Sequence, residues 1–133
     1  MSGVHTNLFI NGSWTESVGG KTLSVLDPAT GNIVGTASHA GLRDLENAVD
    51  ASAAGFKVWR RVAAFERSKK MRLAANVLRG QVESVARTLT LEEGKPLVEA
   101  RAEVMGAADV IDWFAEEARR TYGTVIPARA EGV

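Results

Sequence analysis

The helical half of the chain is organised around residues 90–97, which read Thr-Leu-Glu-Glu-Gly-Lys-Pro-Leu. Glycine accepts the positive φ at which many helices end, and proline fits a first helical turn because its missing N–H has no partner there anyway. The order Gly94 then Pro96 therefore predicts that one helix ends and another begins inside this segment. The segment separates two amphipathic stretches of sequence.

Apolar residues on both sides of this junction recur every three or four positions, which is the spacing of one face of an α-helix. The upstream stripe, which Gly80 is expected to divide into a long and a short helix, comprises Met71, Ala74, Leu78, Val82, Val85 and Leu89. The downstream stripe, which Gly123 is expected to end, comprises Leu97, Val104, Ala108, Ile111, Ala115, Ala118 and Tyr122. A stripe nearer the N-terminus comprises Leu42, Leu45, Val49, Phe56 and Trp59. We therefore expect four helices within residues 42–122, packed on one another, with large apolar side chains buried at Trp59, Leu78, Val85, Val104 and Ile111.

Residues 8–38 predict two β-hairpins that lie across these helices. Asn11-Gly12 stands between two short apolar-rich runs, a strong signal for a tight hairpin turn. Thr22 to Leu26 alternates apolar with polar residues, and residues 27–31, Asp-Pro-Ala-Thr-Gly, then turn the chain into a strand over residues 32–38. Residues 123–133 begin a further extended segment. Four amphipathic helices need a larger sheet to cover them, so the sequence predicts part of a bigger α/β domain.

Composition excludes several classes of function. The 133 residues, 45% apolar and 24% charged, suit one modest globular unit. Sixteen basic and sixteen acidic residues give no net charge, so no attraction to nucleic acid or to a membrane surface is expected. The sequence has no cysteine, which excludes disulfides and a thiol nucleophile within these residues. With no secretory signal and no apolar run long enough to span a membrane, we expect a cytoplasmic protein.

The motifs that could bind a cofactor or metal are weak. Gly19-Gly20-Lys21-Thr22 resembles the end of a phosphate-binding loop, but Thr15 stands where that motif needs its first glycine, so a simple turn is expected. No G-x-G-x-x-G occurs. His5 and His39 lack further ligands at helical spacing, so solvated loop residues are expected. These motifs alone do not indicate which reaction, if any, the protein catalyses.

Several segments, taken in order, resemble the NAD(P)-dependent aldehyde dehydrogenases. The N-terminal part of the resemblance consists of Phe9-Ile10-Asn11-Gly12-Ser13-Trp14, Asp27-Pro28-Ala29-Thr30-Gly31 and the helix over residues 42–59. The more specific part consists of Thr90–Leu97 with Glu99-Ala100, Trp113–Arg120, Tyr122-Gly123 and Ile126-Pro127. Together they are similar to the succinate-semialdehyde dehydrogenase branch over most of the chain, from about Leu8 to Pro127.

The resemblance implies a fold and an activity. Residues 1–133 correspond to the N-terminal portion of a Rossmann-type coenzyme domain in a much longer enzyme. That enzyme uses NAD or NADP to oxidise an aldehyde, with succinate semialdehyde or a near relative as the expected substrate, and it forms a homo-oligomer. In the family a cysteine thiolate attacks the carbonyl, and an activated water hydrolyses the thioester. The catalytic cysteine, glutamate and asparagine all come later in the family, so neither catalysis nor coenzyme binding is expected of these residues alone.

Two sets of site residues follow from the resemblance. Some family members bind a structural monovalent cation, which points to the Val25 and Leu26 backbone and to Glu92, where relatives often have aspartate; a plain strand and helix end is the alternative. The face of the last helix carrying Ala102, Gly106 and Trp113 corresponds to a border of the aldehyde tunnel, with core packing as the alternative. A different class of function, a non-catalytic binding or assembly module derived from the family, also remains open.

Overall fold

The computed structural model describes residues 4–130, and within them strands precede helices, as the sequence predicts. The strands are β1 (Val4–Thr6), β2 (Leu8–Ile10), β3 (Ser13–Thr15), β4 (Thr22–Leu26) and β5 (Ile33–Ser38). The helices are α1 (Leu42–Trp59), α2 (Ala64–Gly80), α3 (Val82–Glu93) and α4 (Leu97–Glu117). The predicted α/β class is confirmed. The end of the expected extended segment, residues 131–133, lies outside the described residues.

Both predicted hairpins are present. β2 pairs antiparallel with β3 through a turn in which Asn11 and Gly12 have φ of 53° and 78°, the left-handed region that favours Asn-Gly. β4 pairs antiparallel with β5, and β1 adds to the other side of β5 in parallel, which gives the order β1-β5-β4. The sequence did not predict β1, because three residues are too few to show an alternating pattern.

The turn between β4 and β5 is stabilised by one side chain. The Asp27 carboxylate accepts hydrogen bonds from the Ala29 N–H at 2.8 Å and from the Thr30 hydroxyl at 2.9 Å. The Gly31 N–H donates to the Asp27 carbonyl at 2.8 Å, with Gly31 at a φ of 71°. This aspartate-initiated turn explains why Asp, Pro and Gly appear together at this point of the sequence.

Helix boundaries agree with the sequence at two positions and differ at two. Gly94 has a φ of 78° and caps α3, and α2 is divided from α3 next to Gly80. Pro96 is the residue directly before α4 instead of its first residue. The prediction that the last helix reaches Tyr122 is wrong, because α4 ends at Glu117. Tyr122 is 81% exposed, so no packing among the described residues favours further helix there.

The core lies where α4 packs against α2 and α3, and it is made of small side chains. Its buried apolar residues are Ala75, Ala86, Ala100, Val104, Ala108 and Ala115. Of the five large residues expected to be buried, only Val104 is fully so, while Leu78, Val85 and Ile111 are half-buried. The prediction is wrong for Trp59, which is 42% exposed. Trp59 lies on α1, which packs lightly and chiefly against β2, so the indole is only partly covered within residues 4–130.

The molecule exposes more surface than a compact protein of its mass. Its accessible area is 10234 Å² for 14.2 kDa, whereas the scaling for folded monomers gives about 6,800 Å². The excess includes apolar side chains along α1, among them Leu42, Leu45, Val49, Phe56 and Val58. No helix in the described part of the chain is long and apolar enough to cross a membrane.

Candidate functional site

Two of the three cation candidates line one cavity. This cavity, about 360 Å³, lies between the three-stranded sheet and α3, and Val25 and Glu92 are both in its wall. Leu26 follows Val25 in β4 but is not part of the wall. The structure therefore brings together a strand and a helix end that are more than sixty residues apart in the sequence.

The strand in this wall is irregular at the candidate residues. Val25 pairs with Gly35 and Leu26 pairs with Ile33, so Val34 is an extra residue and the ladder is interrupted there. A bulge of this kind disturbs the regular pairing of backbone groups. It lies beside the two carbonyls that the resemblance assigns to a cation, and carbonyl and carboxylate oxygens suit such a hard ion.

The helix in the same wall carries an unpaired polar atom. The Thr90 hydroxyl oxygen, two residues before Glu92, is buried and has no hydrogen-bond partner in the described structure. Glu92 itself is exposed near the end of α3. Within residues 4–130, no three His, Cys, Asp or Glu side chains come together as a metal-binding group. Any ion held in this wall thus depends on backbone oxygens as well as on Glu92.

The candidate tunnel residues share one face of α4. Ala102, Gly106 and Trp113 are four and seven residues apart, which places them along one side of a helix. All three are exposed, Trp113 by 68%, and a Cβ built on Gly106 meets no atom within 4 Å. The core-facing side of α4 carries Val104 and Ala108 instead. Core packing therefore occupies the other side of the helix, and this face is open.

α4 is joined to its neighbours by ion pairs that the sequence analysis did not identify. Arg79 at the end of α2 donates to Asp112 at 2.7 Å and to Asp109 at 2.6 Å. The hydrogen bond to Asp109, followed by the one to Asp112, raises the pKa of the Arg79 guanidinium. On the α3 side, Arg101 donates to both carboxylate oxygens of Glu83 at 2.7 and 2.9 Å. The spacing of Asp109 and Asp112, one helical turn apart, is the only sequence signal of the first contact.

The strand-to-helix turn from β5 to α1 does not fit a coenzyme pyrophosphate. Dinucleotides bind where N–H groups at a helix N-terminus are free to meet phosphate. In this turn the Asp44 carboxylate already accepts the Gly41 N–H at 2.8 Å and the Val18 N–H at 3.0 Å. The bond from Gly41, then that from Val18, lowers the pKa of Asp44 against the opposing effect of burial, so the group carries a negative charge that repels phosphate.

The positive-φ glycines do not supply such a site elsewhere in the described chain. Gly12, Gly20 and Gly31 lie in turns between strands, and Gly94 ends a helix. Gly20 belongs to the segment that resembles a phosphate-binding loop, and its N–H donates to the Ser17 carbonyl at 2.9 Å in a turn that leads into β4, so the turn reading is confirmed. Gly12, Gly20 and Gly31 thus lead into strands and not into a helix N-terminus, where a pyrophosphate would bind.

The order of hairpins and helices is shared with a known family. The sequence profile described as the aldehyde dehydrogenase family matches residues 14–133. The chain belongs to the aldehyde dehydrogenase family. The match covers Val25, Leu26 and Glu92 as well as the open face of α4, so the residues of both candidate sites lie within the matched region.

Individual relatives agree in sequence and in backbone. A glutarate-semialdehyde dehydrogenase of Pseudomonas putida is 41% identical over 119 residues, which cover 90% of this chain and 25% of that protein. A succinate-semialdehyde dehydrogenase of Escherichia coli, named for NADP(+), is 39% identical over 127 residues, covering 92% of this chain and 26% of that protein. The crystal structure of an aldehyde dehydrogenase from Brucella melitensis biovar abortus 2308 has a TM-score of 0.92 at 38% identity, covering 96% of this chain and 26% of that one. The chain thus spans about a quarter of the length of these relatives.

Proposed function

We propose that residues 1–133 form the N-terminal portion of the coenzyme domain of an enzyme that oxidises an aldehyde to the carboxylic acid with NAD or NADP. The substrate proposed is succinate semialdehyde or a dicarboxylic semialdehyde of similar length. The observation that carries the proposal is the match to the family over residues 14–133 together with a backbone agreement at a TM-score of 0.92. The enzyme is further proposed to be a homo-oligomer, as the resemblance implies.

The proposed substrate class is supported by the relatives that share this part of the sequence. The Pseudomonas putida and Escherichia coli proteins are named for glutarate and succinate semialdehydes, which carry a carboxylate at the end opposite the aldehyde. Their identities to this chain, 41% and 39%, are nearly equal, so this region does not favour one chain length over the other. We therefore propose a dicarboxylic semialdehyde as the class of substrate and do not assign its chain length.

The role proposed for this chain in the reaction is to shape the approach of the aldehyde. The open α4 face of Ala102, Gly106 and Trp113 offers an apolar wall with a gap at Gly106, which suits the methylene chain of a semialdehyde. The backbone of Val25 and Leu26, together with Glu92, is proposed to hold a monovalent cation beside the cavity, where the ion stabilises the strand against α3. Neither role requires a nucleophile from this chain.

The test is an assay of the complete reading frame that contains this chain. Purified enzyme is mixed with NAD or NADP and with a panel of aldehydes, and reduced coenzyme is followed by its absorbance. Succinate semialdehyde and butanal form a matched pair, because they have the same chain length and differ only in the carboxylate. We expect reduction of coenzyme with a kcat/KM for the semialdehyde at least about tenfold higher than for butanal, the scale set by one charged recognition contact.

The outcomes separate the parts of the proposal. Activity with butanal equal to that with the semialdehyde refutes the substrate class and leaves aldehyde oxidation in place. No reduced coenzyme with any aldehyde refutes the oxidoreductase. A stable, folded and inactive product would then favour the non-catalytic module.

A further inference from the structure

The contact between α2 and α4 combines an apolar interface of small buried side chains with two ion-pair contacts, the fork of Arg79 and the single pair of Arg72 with Glu116. The buried residues between these helices are small, with Ala75 on α2 and Ala108 and Ala115 on α4. Methyl groups form low ridges, so they let helices approach closely but interlock weakly along and around their axes. The rotation of α4 against α2 must therefore be set mainly by other contacts.

Arg79 is placed to set that rotation. Its guanidinium is a rigid planar fork, and its two terminal nitrogens engage two different carboxylates, Asp112 at 2.7 Å and Asp109 at 2.6 Å. Asp109 and Asp112 are one turn apart on α4, so a planar group that bridges them resists both sliding and rotation of the helix. Arg79 is also the least exposed of these three side chains, at 28% against 71% for Asp109 and 31% for Asp112.

The same two carboxylates flank the open face of α4. Asp109 lies three residues after Gly106 and four before Trp113, and Asp112 directly precedes Trp113. A change in the rotation of α4 around this point displaces the indole and the gap at Gly106 together. Displacements of about 1 Å in a substrate-positioning wall are enough to change reactivity by up to about a hundredfold.

We infer that Arg79 is a positioning residue for the aldehyde: by bridging Asp109 and Asp112 it fixes the rotation of α4 and so the place of Gly106 and Trp113 along the substrate's approach. This inference rests on the proposed function, because the rotation of α4 affects the substrate only if an aldehyde passes along the α4 face. It assigns Arg79 an effect on substrate binding and not on the chemical step.

The test uses the complete enzyme with succinate semialdehyde and measures kcat, the KM for the aldehyde and the KM for the coenzyme. Arg79→Gln removes the fork at similar length, and Arg79→Lys restores the charge without it. The control is Arg101→Gln, which removes an equally short bidentate pair between α3 and α4; Arg101 lies beside Ala102 at the N-terminal end of the open face, five residues before Gly106 and twelve before Trp113. Asp112→Asn weakens the Arg79 contact from the α4 side and serves if Arg79→Gln does not yield folded protein.

We expect Arg79→Gln to raise the KM for the aldehyde about tenfold, with kcat and the coenzyme KM within about twofold of the wild type. Arg79→Lys should recover part of this loss, and Arg101→Gln should leave the aldehyde KM unchanged. Gly106→Val, which narrows the face directly, should also raise the aldehyde KM. In the double variant Arg79→Gln/Gly106→Val, the increase in the aldehyde KM should be smaller than the product of the two single increases, because both substitutions alter the same wall.

Three results overturn the inference and are distinguishable from one another. If the wild type oxidises the semialdehyde but Arg79→Gln and Arg101→Gln change its KM equally, or only lower the melting temperature, Arg79 is a structural ion pair and the proposed function stands. If Gly106→Val changes the aldehyde KM while Arg79→Gln and Asp112→Asn do not, the α4 face borders the path of the aldehyde but Arg79 does not position it. If the wild type reduces no coenzyme with any aldehyde, the proposed function fails and the inference fails with it.

Discussion

Residues 1–133 expressed alone should not behave as an ordinary folded monomer. The accessible area of 10234 Å² exceeds the area of a compact protein of this mass by roughly 3,400 Å². A few hundred Å² of bare apolar surface already forfeits on the order of 5–10 kcal/mol at about 25 cal/mol per Å². That loss equals the whole net stability of a typical domain. We therefore expect a molten or self-associating species.

Three measurements on the isolated chain check this expectation. A hydrophobic dye should fluoresce strongly on binding, amide resonances should be poorly dispersed, and light scattering should report association. Collapse of the helices on one another would recover part of the lost stability without restoring sharp cooperative unfolding. A monodisperse monomer with a sharp cooperative melt would show that the small core around Val104 is sufficient, which would refute the reasoning from exposed area. Aldehyde-dependent reduction of NAD or NADP by the same sample would refute the expected inactivity.

Three further predictions concern the melting temperature of the complete enzyme. Gly94→Ala should lower the melting temperature more than Gly31→Ala, because both residues have positive φ, at a cost of about 1–2 kcal/mol, but the new methyl group at 94 also meets the Pro28 side chain at 2.9 Å. Equal decreases in melting temperature for the two variants would show that this contact has no effect. Asp44→Asn should lower the melting temperature at neutral pH. Because the folded-state pKa of Asp44 lies below its ordinary 3.8, the stabilisation is complete above that value and disappears as the pH falls through the folded pKa; a difference between variant and wild type that persists in acid would contradict this. Melting should be higher in sodium or potassium chloride than in choline chloride, and Glu92→Gln should remove that difference; equal melting in all three salts would argue against the proposed cation.

Local features of the fold could be predicted where the sequence has strong turn and cap residues. Asn11-Gly12 and Gly94 adopt the positive φ that their residue types favour, and both elements were predicted correctly. β1 could not be predicted, because it is short and its pairing partner β5 lies about thirty residues away. The burial of Trp59 was predicted wrongly. An apolar helix face indicates that the helix packs against another surface, but it does not show which part of the chain supplies that surface.

The candidate site was less accessible from sequence than the fold. The spacing of Ala102, Gly106 and Trp113 predicts that they share a face, but not that this face is open; in the structure the small residues on the opposite side take the core contacts. The fork of Arg79 joins residues that are 30 and 33 positions apart, and no local pattern reports such a contact. Val25 and Glu92 were paired by resemblance, and their common cavity is visible only in three dimensions.

The most direct test compares two glycine variants of the complete enzyme in the reduction of NAD or NADP by succinate semialdehyde. Gly106 on α4 and Gly55 on α1 both lie within helices and have open space around them, so valine at either position carries a similar helix cost. If this chain borders the path of the aldehyde at α4, Gly106→Val raises the KM for the semialdehyde about tenfold, while Gly55→Val and the wild type share one value. Equal KM values in all three proteins, or no reduction of coenzyme by the wild type, would contradict the account.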